Sequence, residues 1–291
     1  MSHFPSRQLR PFLSAFTSAF LCFLAVWMAA LMLIRPSTAP LSSSAAQPSP
    51  DPVYLPDRSD CQTLLLCEDC PEPSLFLLMR MNPVQGSIHL FAFPKRLALT
   101  HQQIREPVGT IFRSGGITEV CRAIGESFSI PVEHSLQISR TQLPHILELC
   151  GPTSLVLSQP LPMVVDGIEM ILEPGNQQLD GERLTRWLLS RMPSSDIEQC
   201  AFLSKAAALL LNQHLDWLSE ERSRQLFSEV VNHSRTNLSF SDYDAARKPA
   251  DFLAQLCPQP ACAFLPDFVR NPDATLSLSE QDLSELRQRF C

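Results

Sequence analysis

The sequence predicts an α/β fold: a single mixed β-sheet covered by helices on both faces, preceded by one transmembrane helix. Three observations carry that reading. Short apolar runs bounded by proline, glycine and acidic turns fill the first part of the folded region. Longer segments with helical spacing dominate its second half. Before both, 24 consecutive residues from Pro11 to Ile34 carry no Asp, Glu, Lys or Arg. With 45% hydrophobic and 18% charged residues in 291, a packed core is within reach and wholesale disorder is excluded. Twenty arginines and three lysines are outnumbered by 30 acids, for a net charge of −7. A protein that grips nucleic acid by counterion release carries a basic surface, so no nucleic-acid partner is expected.

The apolar run, bracketed by Arg10 and Arg35, would reach roughly 36 Å as a helix, enough to cross a bilayer core of about 30 Å. It is longer than the apolar region of a cleaved signal peptide. Arg7 and Arg10 make residues 1–10 a basic head, placed in the cytoplasm by the positive-inside rule, with everything after Arg35 outside. Residues 35–59 read as a stalk: six prolines between Pro36 and Pro56 alternate with Ser and Ala, and no apolar face recurs.

The folded part follows in order. Gln62–Cys67 is a strand ending in an acidic turn. Ser74–Met81 and Ser87–Phe93 form a hairpin around Asn82-Pro83-Val84-Gln85-Gly86. A helix opens near Gly116, where Ile117, Val120, Ile124 and Phe128 recur at helical spacing. Val132–Ile138 is a strand and Thr141–Cys150 a helix closed by Gly151. Ser154–Leu157 and Ile168–Leu172 are short strands. Leu184–Arg191 is a short helix stopped by Pro193, and Asp196 N-caps a long one through about Ser219. Helices are also expected at Glu221–Val231, Tyr243–Leu256 and, behind a Ser279 cap, Glu280–Phe290.

Nine cysteines follow the apolar run, and their pairing is not readable from spacing. Cys67-Glu68-Asp69-Cys70 has the spacing of half a zinc site or a redox pair, but no second CxxC or HxxxH completes it. Buried thiols or a structural disulfide are the expectation, and no metal site. His89, His134 and His145 share no ligand spacing and are expected as packing or surface residues. No GxSxG, HExxH or P-loop occurs, so the serine hydrolase, zincin and NTPase readings lack support.

Several phrases, in order, resemble the LytR-CpsA-Psr family of bacterial envelope proteins over roughly residues 60–245, with 246–291 as a C-terminal helical extension. Leu64-Leu65-Leu66-Cys67-Glu68-Asp69 is similar to the family's first strand, LLLGxD, and Leu77–Pro83 to a strand ending in Asn-Pro. Pro94-Lys95-Arg96 stands at a Pro-Arg-Asp turn, Ser114-Gly115-Gly116 at a Gly-Gly helix start, and Ile130-Pro131 at an Ile-Pro. The most specific phrase is Gly175 to Glu182 (GNQQLDGE), matching Gly-x-x-x-Leu-Asp-Gly-Glu and followed by a helix bearing Arg191.

The resemblance implies a single-pass membrane protein that moves a polyprenyl-diphosphate-linked glycan onto peptidoglycan. It further implies cations on the leaving group, Mg²⁺ held by carboxylates and a carboxylate base. The implied phosphate-binding residues are Lys95, Arg96 and Arg191, and the implied catalytic carboxylate is Asp69; Arg113, just before the expected Gly-Gly helix start, joins the phosphate-binding set as a cation facing an anion at that helix N-terminus. An apolar groove would take the lipid.

The sequence departs from the pattern where charge matters. Ser74 stands for an expected aspartate, with Glu72 nearby, and Arg96 stands for the acid of the turn. Leu189, Ser195 and Glu198 occupy expected arginine positions. Whether turnover occurs is thus left open between a transferase and a catalytically degenerate relative that binds lipid-linked glycan or a partner protein. A third reading, a type II secretory-pathway protein, would use Asn232-His233-Ser234 and Asn237-Leu238-Ser239 as glycosylation sites. Transcriptional attenuation, also attached to the family's name, has no route to DNA from an exterior acidic domain.

Overall fold

The computed structural model describes residues 54–165, 168–190, 195–215 and 221–291. The expected head and membrane span, most of the stalk, and Arg191 lie outside the described residues. Among the described residues no helix is long and apolar enough to cross a membrane.

A six-stranded mixed sheet forms the centre. In chain order its strands are β1 (Gln62–Glu68), β2 (Leu75–Asn82), β3 (Ser87–Pro94), β6 (His134–Ile138), β11 (Ser234–Thr236) and β12 (Ala261–Ala263), arranged β11-β6-β1-β2-β3-β12. β1 runs antiparallel to β2 (Leu64 opposite Met79) and parallel to β6 (Leu64 opposite His134). β2 and β3 form the expected hairpin, with Leu78 opposite Phe91, and β12 runs parallel to β3. β1, β3, β6 and β12 therefore share one direction, and their carboxyl ends line one edge of the sheet. The hairpin closes as its sequence requires: Gln85 N–H donates to Asn82 Oδ1 at 3.0 Å, and Gly86 takes the left-handed φ of 69°.

Period-two burial decides the two faces. Leu65, Phe76, Leu78, Phe91 and Phe93 point into a core shared with α1 (Val108–Phe128) and α7 (Glu280–Phe290). Phe76 stacks on Phe93 with centroids 5.6 Å apart. Met81, Ile88 and Leu90 pack on the opposite face with Ala208 of α4 (Asp196–His214) and Leu253 of α6 (Phe240–Leu256). Helices thus cover both faces, as expected. A third apolar cluster joins α2 (Leu143–Cys150), β7 (Thr153–Leu157), β10 (Gly175–Leu179), α3 (Gly181–Leu188) and one flank of α4, with Trp187 edge-on to Phe202 at 5.2 Å. Residues 246–291, expected as an extension, supply β12 to the main sheet and Leu286 and Phe290 to the first core.

Several boundaries differ from expectation for identifiable reasons. The helix expected near Gly116 begins at Val108 and breaks at Gly116 (φ 69°, ψ −164°). The Gly115-Gly116 pair hides a first segment that buries Val108, Ile111 and Phe112. The hairpin of β4 (Ala98–His101) and β5 (Ile104–Pro107) turns through Gln102 and Gln103, both at positive φ. Glutamine gives no turn signal there, whereas Asn-Gly would have. A second pair, β8 (Leu161–Val165) and β9 (Ile168–Leu172), was half expected. The long helix is capped by Ser195, whose Oγ accepts from Glu198 N–H at 3.2 Å, and not by Asp196, which lies in the first turn. Helix α5 (Glu221–Asn232) and the start of α6 behind a Ser239/Asp242 capping box complete the order.

Candidate functional site

The carboxyl edge of the parallel strands is where α/β folds place ligands, and of the sequence-derived residues Asp69, Lys95 and Arg96 follow strands that end there. Lys95 follows the last residue of β3. Its backbone is fixed from two sides: its N–H donates to Ser74 O at 3.0 Å, and its carbonyl accepts from Gly109 N–H at 2.9 Å. Gly109 opens α1 against this turn, and a Cβ there would sit 3.1 Å from Lys95 Cβ. Arg113 lies one turn further along α1, with Nε donating to Gly109 O at 3.3 Å.

Lys95 and Arg113 converge on one carboxylate. Lys95 Nζ is 3.5 Å from Glu72 Oε2, and Arg113 Nε is 3.8 Å from Glu72 Oε1. All three side chains are well exposed, between 43% and 60%. Exposed ion pairs contribute only about 0–1 kcal/mol. Hydrogen bonds to charged groups contribute about 1.5–3 kcal/mol. An anion able to engage both cations therefore displaces Glu72 at little cost. With two cations and one carboxylate, the cluster carries one net positive charge.

The other expected residues divide. Arg96 turns away to α4, where its Nε donates to Asp196 Oδ2 at 3.1 Å. Asp69 sits after β1 with its N–H donating to Ile138 O at 2.8 Å, and its carboxylate is 3.5 Å from Arg235 Nε of β11. Asp69 is thus held by a strand that sequence reasoning did not place. Glu72 was read only as a stand-in for the carboxylate absent at Ser74; its place between two prolines (Pro71-Glu72-Pro73) was the available signal.

Asp180 caps α3 by accepting from Arg183 N–H at 2.8 Å, and Glu182 pairs with Arg186, so the Asp-Gly-Glu box is structural here. The nine cysteines from Cys61 onward are free thiols. Burial pushes Cys121 up to about 12, and Cys67 and Cys70 also upward, so the CxxC pair holds thiols rather than reactive thiolates.

A carboxylate-held Mg²⁺ does not fit this edge. Glu72 and Asp69 are each engaged by cations, and the aspartate position is Ser74. Among the described residues no three His, Cys, Asp or Glu are arranged to hold a metal ion.

Asp196, held by Arg96, opens α4, and Phe202, Leu203, Leu209 and Leu210 further along that helix are only half-buried against the third cluster. Val156 and Ile171 of the neighbouring strands are 77% and 62% exposed.

No family model and no curated protein matches the chain. Solved structures do. A Eubacterium siraeum protein described as a transcription regulator superposes with a TM-score of 0.72 at 14% identity, over 86% of this chain and 97% of its own. The LytR-Csp2A-Psr enzyme of Actinomyces oris gives 0.62 at 16% identity, over 79% and 89%. TagT bound to LIIa-WTA gives 0.61 at 15% identity, also over 79% and 89%.

The fold is that of the LytR-CpsA-Psr proteins.

Identities this low speak for the LytR-CpsA-Psr fold alone, and the chemistry of the edge rests on the residues found there. The glycosylation reading loses support at one sequon. Asn237 donates from Nδ2 to Glu133 O at 2.9 Å and accepts at Oδ1 from Ser135 N–H at 2.7 Å, so its amide nitrogen is already engaged against β6.

Proposed function

We propose that this chain is a membrane-anchored cell-envelope protein that binds the phosphate of a polyprenyl-linked glycan at its Lys95–Arg113 edge, with the lipid along the half-buried apolar flank of α4. The observation that carries this is the convergence of Lys95 and Arg113 on the exposed Glu72, at the edge of the sheet where α/β folds place ligands. The neighbouring complex of TagT with LIIa-WTA supports the ligand class. The anchor is the apolar run from Pro11 to Ile34, which puts the folded part outside the cell.

Between binding and transfer, charge favours binding. A departing diphosphate needs strong neutralisation in the transition state. Here Lys95 and Arg113 share one carboxylate, Arg96 is engaged by Asp196, and three expected arginine positions hold Leu189, Ser195 and Glu198. Lysine also supplies a point charge where arginine would supply a fork. Transfer of the glycan to peptidoglycan is the second reading, with Asp69, which lies 3.5 Å from Arg235, as its base.

The test adds a polyprenyl-diphosphate-linked disaccharide, with a peptidoglycan fragment as the acceptor hydroxyl, to the full chain in detergent and measures binding and release of prenyl phosphate separately. Binding without release, weakened about 10-fold by Lys95→Ala or Arg113→Ala, supports the proposal. Release that Asp69→Asn abolishes supports transfer instead. Absence of binding refutes both.

A further inference from the structure

At the opposite edge of the sheet, about 26 Å along β3 from Lys95 at 3.3 Å per residue, lies a cleft of about 730 Å³. One wall is α7, whose Gln281, Ser284, Glu285 and Gln288 face it at i, i+3, i+4 and i+7. The other face of that helix buries Leu286 and Phe290 in the core, so the wall is anchored. The floor is Ser87 and His89 of β3, on one face of the strand.

The electrostatics of this cleft are closed internally. Its Arg289 is held by its Glu285, at 2.6 Å from Nη2 and 3.0 Å from Nε to the same oxygen, with the guanidinium over the Phe264 ring at 5.6 Å. His89 is 7% exposed, and both ring nitrogens are occupied: Nδ1 lies 3.0 Å from Cys262 Sγ and Nε2 3.1 Å from Ser87 Oγ. Burial and the nearby Arg289 push its pKa down to about 4, so the ring is neutral at physiological pH. No charge is left to select an ion. What remains is hydrogen-bonding capacity: carboxamides that offer donors and acceptors together, and hydroxyls that do the same. The residues lining this cleft include no aliphatic or phenyl side chain to receive a lipid or an apolar peptide side chain. A peptide added to a sheet would also use main-chain groups of an edge strand, whereas this cleft presents side-chain amides.

We infer that the cleft between α7 and the start of β3 is a binding site for a neutral oligosaccharide, held by Gln281, Gln288 and Ser284. This site is separate from the Lys95–Arg113 edge and stands whether or not that edge binds phosphate.

The experiment is calorimetric titration of the full chain with tetra-N-acetylchitotetraose and with maltotetraose. Saturable binding of either is expected, unchanged in 0.5 M salt because no charge is involved. Gln281→Ala/Gln288→Ala should weaken it at least 10-fold, as loss of two hydrogen bonds implies, with the melting midpoint unchanged because both side chains are exposed. Lys95→Ala/Arg113→Ala should leave it untouched. The inference is overturned if neither sugar binds, if the double glutamine variant binds as well as the parent, or if a neutral hexapeptide displaces the sugar and binds more tightly.

Discussion

Glu72 sits where two cations meet, and its removal separates an ion-pair reading from a ligand-site reading. If Lys95 and Arg113 serve only to hold that loop, Glu72→Gln costs stability of about 0–1 kcal/mol and does nothing else. If they serve an anion, the carboxylate competes with it, and removing the charge raises affinity for pyrophosphate about 5-fold at low salt, an effect of about 1 kcal/mol that shrinks in 0.5 M salt. Titration of pyrophosphate into both forms at two salt concentrations reads this directly. The cations themselves were legible in the sequence, because Pro94-Lys95-Arg96 and Ser114-Gly115-Gly116 flank them in recognisable phrases. The carboxylate between them was not, since its meeting with α1 and with the end of β3 is a tertiary fact with no local pattern. Arg96 shows the converse: it belongs to the same phrase as Lys95 yet is turned to Asp196 on another helix.

His89 allows a second test on a single side chain. Its pKa is lowered in the fold to about 4, against an ordinary value of 6.5. The unfolded chain therefore binds the proton first, and stability is full above about pH 6.5 and is lost as pH falls toward 4. His89→Gln, which keeps a polar group between Cys262 and Ser87, should flatten the slope of unfolding free energy between pH 7 and pH 4.5. Asp57, Asp242 and Asp273 are held low by their hydroxyl and backbone partners. They lose their contribution only at lower pH, so the difference between variant and parent isolates the imidazole. Equal slopes in urea titrations of the two forms would show that His89 takes up its proton in the fold as readily as in the unfolded chain.

Elements were readable where one period dominated. β1, β2 and β3 alternate or run apolar between prolines, and α7 carries its cap and its Leu286 face openly. They were hidden where the residue chemistry was indifferent to the backbone, as at the Gln102-Gln103 turn and in the first half of α1. The packing of α3 on α2 belongs to this scale. Gly181, the first residue of α3, lies so close to α2 that an added Cβ would meet Pro144 O at 2.3 Å and Glu148 N at 2.7 Å. Both are backbone atoms and cannot swing aside. Gly181→Ala should therefore destabilise by about 1–3 kcal/mol, as overpacking does, in thermal unfolding followed by circular dichroism. Asp180→Ala, which removes only a cap, should cost about 1 kcal/mol. A Gly181→Ala variant as stable as the parent would mean that the two helices separate freely, and that the third apolar cluster is softer than its burial indicates.

At the scale of the molecule, the C-terminal residues belong to the sheet as fully as the first strands do. β12 pairs with β3, Cys262 of that strand reaches His89, and Phe290, in the same core as Phe76 and Phe93, is fully buried with its ring 6.0 Å from that of His89. A detachable helical tail would fray alone. Its loss would leave the melting of the sheet in place while amides of residues 280–290 exchanged fast. An integral helix behaves otherwise: Phe290→Ala removes a large ring from the shared core and should cost about 3–5 kcal/mol. The whole chain should then unfold at a lower midpoint in one transition, by both circular dichroism and hydrogen exchange. The same variant bears on the cleft, because Phe290 anchors the wall that carries Gln281 and Gln288. If α7 is integral, sugar binding and global stability fall together in Phe290→Ala. If it is an appendage, sugar binding is lost while the midpoint stays where it was.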